Sequence, residues 1–214
     1  AIASILHKVA AKHNIKFIIG GGNYATEGIL PKSWFYDPKD LKLLKAIQKK
    51  FGTRKIKTFP TFDWKAEIYY KIFRGIKIVY ILNLLPYNKS DALTLLKEKV
   101  GYHEYGGKHH ESVYTRFVQS YIQPVKFNLD YRRATFSSQI CSGEITRDEA
   151  LALLENQSYN NDQVNKDKDY ASKKFGISLE EFESILNAPA KSYRDYPNQE
   201  KWLTFIYRIY KRIY

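Results

Sequence analysis

The sequence predicts an α/β fold, with a parallel sheet in the first half of the chain and a mainly helical region in the second. Two short apolar runs, residues 16–20 and 76–85, have the length and the β-branched content of buried strands. Helical patterns lie between them, and this alternation is typical of a parallel sheet with crossover helices. Two strands are too few for an independently stable sheet. We therefore expect further strands from a part of the protein that precedes this chain.

The helices of the first half have recognisable ends. Residues 1–14 keep apolar side chains at helical spacing, with no capping residue before them. Residues 37–40 are expected to open the next helix, because a proline suits the first helical position, and Gly52 is expected to end it. Further helices are expected at about residues 63–74 and 90–100. Since the first helix starts uncapped and the chain has no methionine, we expect the N-terminal part of the protein to be missing here.

The second half is predicted to be mostly helical. Residues 146–149 and 178–181 both read as capping boxes, in which a hydroxyl residue precedes a glutamate by three positions. Residues 159–169 are polar and charged, and we expect a loop or linker there. The apolar stripe along residues 202–213 could bind a membrane surface or a partner, but such a helix more often docks on its own domain, which we favour.

Charge and cysteine content restrict the function. The net charge is +13, and residues 1–107 hold 19 Lys and Arg against 8 Asp and Glu. This positive half favours polyanionic ligands such as ATP, a nucleotide sugar or nucleic acid. The single cysteine excludes a disulfide framework and a multi-cysteine zinc site within this chain. The longest apolar stretch, residues 76–86, is too short to span a bilayer, so we expect a cytoplasmic protein.

A glycine-rich segment directly follows the first predicted strand. Gly21 and Gly22 allow a tight turn and close approach of the backbone to a ligand. Asn23 and Glu27 are four residues apart, so both can face the crevice beyond the strand, where open α/β sheets bind ligands. A carboxylate at such a place suggests Mg²⁺. The alternative is a glycine-rich loop with a solvated glutamate.

This segment resembles a known family. Gly-Gly-Asn-x-Ala-Thr-Glu, followed by Gly-Ile-Leu-Pro-Lys-Ser-Trp, is similar to the N-acetyl sugar amidotransferases of bacterial surface-polysaccharide synthesis. Those enzymes belong to the PP-loop ATP pyrophosphatases, which have an adenine nucleotide alpha hydrolase-like fold, and ammonia-dependent NAD synthetases carry a related motif. The resemblance implies that residues 1–107 are the C-terminal part of a PP-loop domain. Residues 108–214 would then be a helical region that binds the substrate or a partner.

A second cluster of polar residues lies at residues 106–116. Lys108, His109, Glu111, Ser112 and Arg116 combine cations, a carboxylate and a hydroxyl in a form that could hold a phosphate or a sugar. The histidine spacing does not match a zinc motif, so we assign no metal there. Taken alone, the cluster slightly favours a capped helix start with surface histidines over a binding site. In the sugar amidotransferases, Gly-Gly-Lys-His-x-Glu-Ser followed by Thr-Arg-Phe is similar to it.

The resemblance extends to about residue 197. Residues 85–89 resemble the strand-to-helix segment of the family, and residues 126–133 resemble its Lys-Phe-Gly-x-Asp-Lys-Arg stretch. The chain departs from that stretch at Asn128, where glycine is usual, and at Tyr131, where lysine is usual. Two family elements are absent: the Ser-Gly-Gly-x-Asp-Ser phosphate loop and a cysteine cluster for zinc. Because both would precede this chain, we expect the chain alone to be inactive.

The family resemblance implies an ATP-dependent reaction that converts an N-acetyl group of a nucleotide sugar into an acetamidino group, for lipopolysaccharide O-antigen or capsule synthesis. It implies Glu27 as the Mg²⁺ ligand and Asn23 as a nucleotide or pyrophosphate contact. Gly21 and Gly22 would allow close approach to the cofactor. Ammonia would come from separate proteins that resemble the glutaminase and cyclase subunits of imidazole glycerol phosphate synthase.

The second cluster receives its roles from the same resemblance. Lys108, His109 and Arg116 would contact phosphate or the nucleotide sugar. Ser112 would belong to the cofactor-binding set, and Glu111 would orient His109 or handle the ammonia proton. His109, Glu111 and Arg116 are thus expected to join Glu27 as catalytic residues.

Two other functions stay open at this stage. A PP-loop tRNA-modifying enzyme would use the positive half to bind RNA, with strong salt dependence. We do not expect nucleic acid, because no RNA-binding motif is present and the aromatic residues do not alternate with basic ones in one stripe. A non-catalytic basic module would recruit an acidic partner and would tolerate the loss of Glu27.

Overall fold

The computed structural model describes residues 1–103 and 112–213, which are mostly helical with one small parallel sheet. The elements are α1 (Ile2–Lys12), β1 (Phe17–Gly20), α2 (Tyr24–Glu27), α3 (Leu41–Phe51), α4 (Trp64–Ile68), β2 (Lys77–Tyr80), α5 (Lys89–Val100), α6 (Val113–Phe117), α7 (Gln123–Phe127), α8 (Tyr131–Cys141), α9 (Arg147–Glu155), α10 (Asn161–Phe175), α11 (Leu179–Asn187) and α12 (Glu200–Ile213). A π-helical turn follows α4 and another joins α6 to α7.

The two strands pair in parallel, as predicted, with Phe17 opposite Lys77 and Gly20 opposite Tyr80. The second strand is shorter than the expected 76–85, because the chain enters a 3₁₀ turn at Ile81–Leu84. An apolar run alone does not distinguish a long strand from a strand followed by a helical turn. Membership of the PP-loop fold stays a prediction.

The described chain packs as two compact units. The first consists of Ala1–Gly21, Phe35–Ile81 and Lys191–Tyr214, and the second consists of Gly22–Trp34 and Leu82–Ala190. This division follows packing. It differs from the regions 1–107 and 108–214, which describe expected functions and stay a prediction.

In the first unit, the last helix docks on its own chain, as we favoured. Leu203 of α12 is only 2% exposed. Asp40, the N-cap of α3, accepts a hydrogen bond from the backbone N–H of Gln199 just before α12. The helix α3 therefore begins after Asp40 and not at Pro38 as expected. The apolar stripe is only partly covered, since Trp202 and Phe205 remain about half exposed.

In the second unit, the core lies between α6, α10 and α11. Phe117, Val164, Ala171 and Phe182 are buried there. The prediction of a loop at residues 159–169 is wrong, because helix α10 begins after Asn160, whose side chain caps it. Few residues of α10 face the core, and the rest of its sequence is polar. The apolar pattern is therefore weak, although the helix packs against the core.

Candidate functional site

The Glu27 segment forms a single helical turn, α2, at the start of the second unit. The Asn23 side chain caps it, because Oδ1 accepts hydrogen bonds from the N–H of Thr26 (2.9 Å) and from its hydroxyl (3.0 Å). The predicted nucleotide contact of Asn23 would therefore fall to its amide nitrogen. Glu27 is the last residue of the turn and its side chain is exposed.

Three polar side chains from distant parts of the sequence contact the backbone of this turn and of Ile29, two residues after it. Asn83 Oδ1 accepts a hydrogen bond from the N–H of Tyr24 at 2.9 Å. Ser138 Oγ accepts one from the N–H of Ile29 at 3.0 Å. The hydroxyl of Ser142 lies 3.3 Å from the carbonyl oxygen of Ala25 and donates to it or to Gln139. None of these three residues was singled out from the sequence, and no local signal marks them.

Two carboxylates lie near one phenol in this unit. Burial raises the pKa of Tyr87 above its ordinary value, and the carboxylates of Glu144 and Glu27 raise it further. A phenol is already protonated at neutral pH, and this shift keeps Tyr87 a hydrogen-bond donor to still higher pH. Tyr87 lies in residues 85–89, the segment whose resemblance to the family's strand-to-helix segment is an expectation from the sequence.

Glu144, one of the two carboxylates near this phenol, also binds the start of α5. One carboxylate oxygen accepts a hydrogen bond from the N–H of Lys89 at 2.5 Å, and the other accepts from Gln139 at 2.9 Å. The side chain of Asn88 caps the same helix by accepting from the N–H of Asp91. A carboxylate at a helix N-terminus is favourable, because it meets unpaired N–H groups and the positive end of the dipole.

The glycines of the motif fall at the boundary of the two units in the chain. Gly21 ends the first stretch of the first unit, and Gly22 begins the second unit. A Cβ added to Gly21 would meet no atom within 4 Å, so there is open space beside its backbone. Gly28 differs, because a Cβ there would lie 2.6 Å from the carbonyl oxygen of Tyr24.

The second predicted cluster is only partly described. Lys108, His109 and Glu111 lie outside the described residues. Ser112 is the N-cap of α6, and its hydroxyl oxygen accepts from the N–H of Thr115 at 3.3 Å. Its predicted contact with a cofactor would have to coexist with this capping bond.

Arg116 forms an ion pair with a buried carboxylate. Its Nη2 and Nε donate to the two oxygens of Asp167 at 2.8 and 3.3 Å. Asp167 is 4% exposed and also accepts from Gln163. Two of the three guanidinium nitrogens are therefore committed within the helical core, and the predicted clamp on a substrate anion would use Nη1.

The family-like stretch at residues 126–133 fastens helices together. Lys126 Nζ donates to the carbonyl oxygens of Ile185, Leu186 and Ala188 at the end of α11. Arg132 donates a hydrogen bond of 2.8 Å to the backbone carbonyl oxygen of Asn156, just beyond the end of α9. The same guanidinium also donates to the carboxylate of Asp130. The family resemblance drew attention to these residues in the sequence, but it did not predict that they join helices.

The chemistry of the donor set fits Mg²⁺ bound mainly through phosphates. Among residues 1–103 and 112–213, no three His, Cys, Asp or Glu side chains are arranged to hold a metal ion. Mg²⁺ commonly takes one or two carboxylates and completes its shell with phosphate oxygens and waters. An exposed glutamate such as Glu27 suits that pattern.

The second half of the chain is similar to a described domain. Residues 111–212 match the family model "LPS biosynthesis protein WbpG-like, C-terminal domain". The match covers slightly less than half of the 214 residues and includes Arg116, Lys126, Arg132 and all of α8. It supports the lipopolysaccharide part of the sequence-based expectation.

No curated protein matches the chain, and no solved structure does. Within the part of the chain that the structure describes, no helix is long and apolar enough to cross a membrane.

Proposed function

We propose that the protein is an ATP-dependent amidotransferase of lipopolysaccharide biosynthesis, which converts an N-acetyl group of a nucleotide sugar into an acetamidino group. The observation that carries the proposal is the match of residues 111–212 to the WbpG-like domain. That region is separate from the Gly-Gly-Asn-x-Ala-Thr-Glu motif, whose resemblance to surface-polysaccharide amidotransferases supports the same proposal.

The reaction must overcome the low reactivity of an amide, whose carbon is a poor electrophile and whose oxygen is a poor leaving group. With ATP as co-substrate, the amide oxygen attacks the α-phosphate and pyrophosphate leaves. Ammonia then attacks the activated carbon, and AMP departs with the former amide oxygen. The protein has to align the reacting groups and stabilise phosphate charge.

The residues of this chain would divide that task. The open space at Gly21 lets a ligand approach the backbone. Glu27 would hold Mg²⁺, whose chemistry is to neutralise phosphate charge. Tyr87, whose phenol is protonated at neutral pH, would donate a hydrogen bond to a ligand near Glu27. Partner proteins of the glutaminase and cyclase type would supply ammonia.

The test uses the protein expressed from its complete reading frame. It is mixed with Mg²⁺-ATP, ammonium and a diacetamido nucleotide sugar, and AMP, pyrophosphate and an amidine are followed by mass spectrometry. We expect all three products, strongly reduced in Glu27→Gln and unchanged in Glu155→Gln, an exposed glutamate at the end of α9.

Other outcomes would redirect the assignment. Pyrophosphate without amidine would point to a different acceptor, and transfer RNA would be tried next. No ATP turnover by the folded protein would contradict an enzyme of this type and favour a binding module.

A further inference from the structure

The α2 turn cannot owe its geometry to its own sequence. It is four residues long, and isolated helices of that length are not stable in water. Within the turn, Asn23 Oδ1 accepts from the N–H of Thr26, and the N–H groups of Glu27 and Gly28 donate to the carbonyl oxygens of Asn23 and Tyr24. Because these few local bonds do not stabilise so short a helix, contacts from elsewhere in the chain must add to them.

Those contacts come from two places in the second unit. Asn83 receives the N–H of Tyr24 at the beginning of the turn. The last turn of α8 and the residue after it provide the others, since Ser138 receives the N–H of Ile29 and Ser142 can donate to Ala25. Glu27 lies between these backbone contacts in sequence.

Ser138 is the most committed of the three. Its side chain is buried, with 1% of the residue exposed. Its oxygen accepts from Ile29 at 3.0 Å while its proton goes to the carbonyl oxygen of Ala134 at 3.1 Å. Removal of this hydroxyl would leave a partly buried N–H without its acceptor, which is costly.

We propose that Asn83, Ser138 and Ser142 are positioning residues for Glu27. They hold the backbone on both sides of it, so that the carboxylate is presented in one place. Ser138 and Ser142 lie within the stretch that matches the WbpG-like domain. One task of that region is thus to hold the glutamate of the first motif. The reaction that Glu27 serves rests on the proposed function, whereas the contacts do not.

The neighbouring serine provides a matched control. Ser137 donates to the carbonyl oxygen of Arg133 at 2.7 Å, which is the same intrahelical bond that Ser138 makes to Ala134. Ser137→Ala and Ser138→Ala therefore remove the same bond within α8. Of the two, Ser138→Ala is the variant that also removes the bond to Ile29.

The first experiment measures amide hydrogen exchange by NMR on this chain. Ser138→Ala should speed exchange at Ile29 by about tenfold or more, as expected for loss of a hydrogen bond to a partly buried N–H. Ser137→Ala should leave Ile29 unchanged, and the amides of α10 and α11 should be unchanged in both variants. Equal exchange at Ile29 in the two variants would overturn the proposal.

A second pair of variants keeps the proposal testable if Ser138→Ala does not fold. Asn83→Ala should speed exchange at Tyr24, and Asn83→Asp should restore protection because an aspartate keeps an acceptor oxygen at that position. Unchanged exchange at Tyr24 in Asn83→Ala would contradict the positioning role of this residue.

The functional readout uses the complete protein. Ser138→Ala should raise the Mg²⁺ concentration for half-maximal pyrophosphate release by about tenfold, with most of the rate regained at saturating Mg²⁺. Ser137→Ala should not change it. Faster exchange at Ile29 with an unaltered Mg²⁺ requirement would overturn the link to Glu27. If the unaltered protein releases no pyrophosphate, the proposed function fails, and the exchange data still decide whether these contacts fix the segment.

Discussion

Asn128 ends α7 in the left-handed backbone region, with φ of 54°. The similar family stretch has glycine at this position, because glycine adopts positive φ without steric cost. Asparagine is among the residues that tolerate this conformation best, since its short polar side chain can bond locally. Asn128 therefore takes a backbone conformation that glycine, the usual residue of that stretch, also adopts without strain. Its backbone conformation explains why asparagine can replace glycine at position 128 of the family-like stretch.

A substitution at Gly21 can distinguish a role in ligand binding from a role in folding. Its φ lies outside the left-handed region and a Cβ would meet no atom within 4 Å. Gly21→Ala should therefore change the free energy of unfolding by less than about 0.5 kcal/mol. If a phosphate approaches the backbone there, the same change should lower pyrophosphate release by about tenfold or more. Urea denaturation and the product assay check both values, and normal turnover would contradict a close approach at Gly21.

Glu67 makes the stability of the first unit depend on pH. Burial raises its pKa, but hydrogen bonds from Lys39 and Lys71, both 2.7 Å long, outweigh this and hold the pKa below its ordinary value of 4.5. The unfolded chain therefore binds the proton more readily than the folded one. The stabilisation is present above the unfolded pKa and is lost as the pH falls through the folded pKa.

The pH dependence can be isolated with Glu67→Gln. Between about pH 7 and about pH 3, the unaltered chain should lose more unfolding free energy than the variant, because the variant lacks this titration. Urea denaturation at a series of pH values measures the difference. Parallel curves for the two proteins would show that Glu67 is not stabilised by its lysines.

At the scale of elements, helices of the second unit are fastened at their C-terminal ends. Lys126 and Arg132 donate to the last carbonyl groups of α11 and α9, or to those just beyond. Such carbonyls have no partner within their own helix, and a cation there also meets the negative end of the helix dipole. These residues join helices that are distant in sequence.

Lys126→Ala should destabilise the second unit by about 1.5–3 kcal/mol, the usual range for hydrogen bonds that involve a charged group. The matched control is Lys166→Ala, which removes an exposed lysine from α10. Thermal or urea unfolding compares the two. An equal, small effect in both variants would mean that the end of α11 does not depend on Lys126.

The sequence predicted those features that depend on neighbouring residues. The capping box at Thr146 is present, whereas at Ser178 the serine cap is found without the reciprocal glutamate bond. It missed α10, because the residues that bury that helix are few and Asp167 among them is charged. It could not predict the bond between Ser138 and Ile29, which are 109 positions apart, since no local pattern specifies such a pairing. The motif singled out Asn23 and Glu27, but the helical turn between them and the side chains that hold it are known only from the structure.

Two regions of the molecule each point to the synthesis of bacterial surface polysaccharide. The glycine-rich motif in the first half resembles surface-polysaccharide amidotransferases, and residues 111–212 match a domain of lipopolysaccharide-biosynthesis proteins. The second unit contains both Glu27 and the three side chains proposed to position it. Under the proposed function, the helical region that lies later in the chain would hold Glu27 of the early motif in position.

The central claim is that the amide oxygen of an N-acetyl group is transferred to AMP. The most direct test is to label that oxygen with ¹⁸O in a diacetamido nucleotide sugar and to incubate it with the complete protein, Mg²⁺-ATP and ammonium. We predict that AMP carries the label in its phosphate and that the sugar product is an amidine without it. Unlabelled AMP together with an unchanged labelled sugar would contradict the proposed amidotransferase.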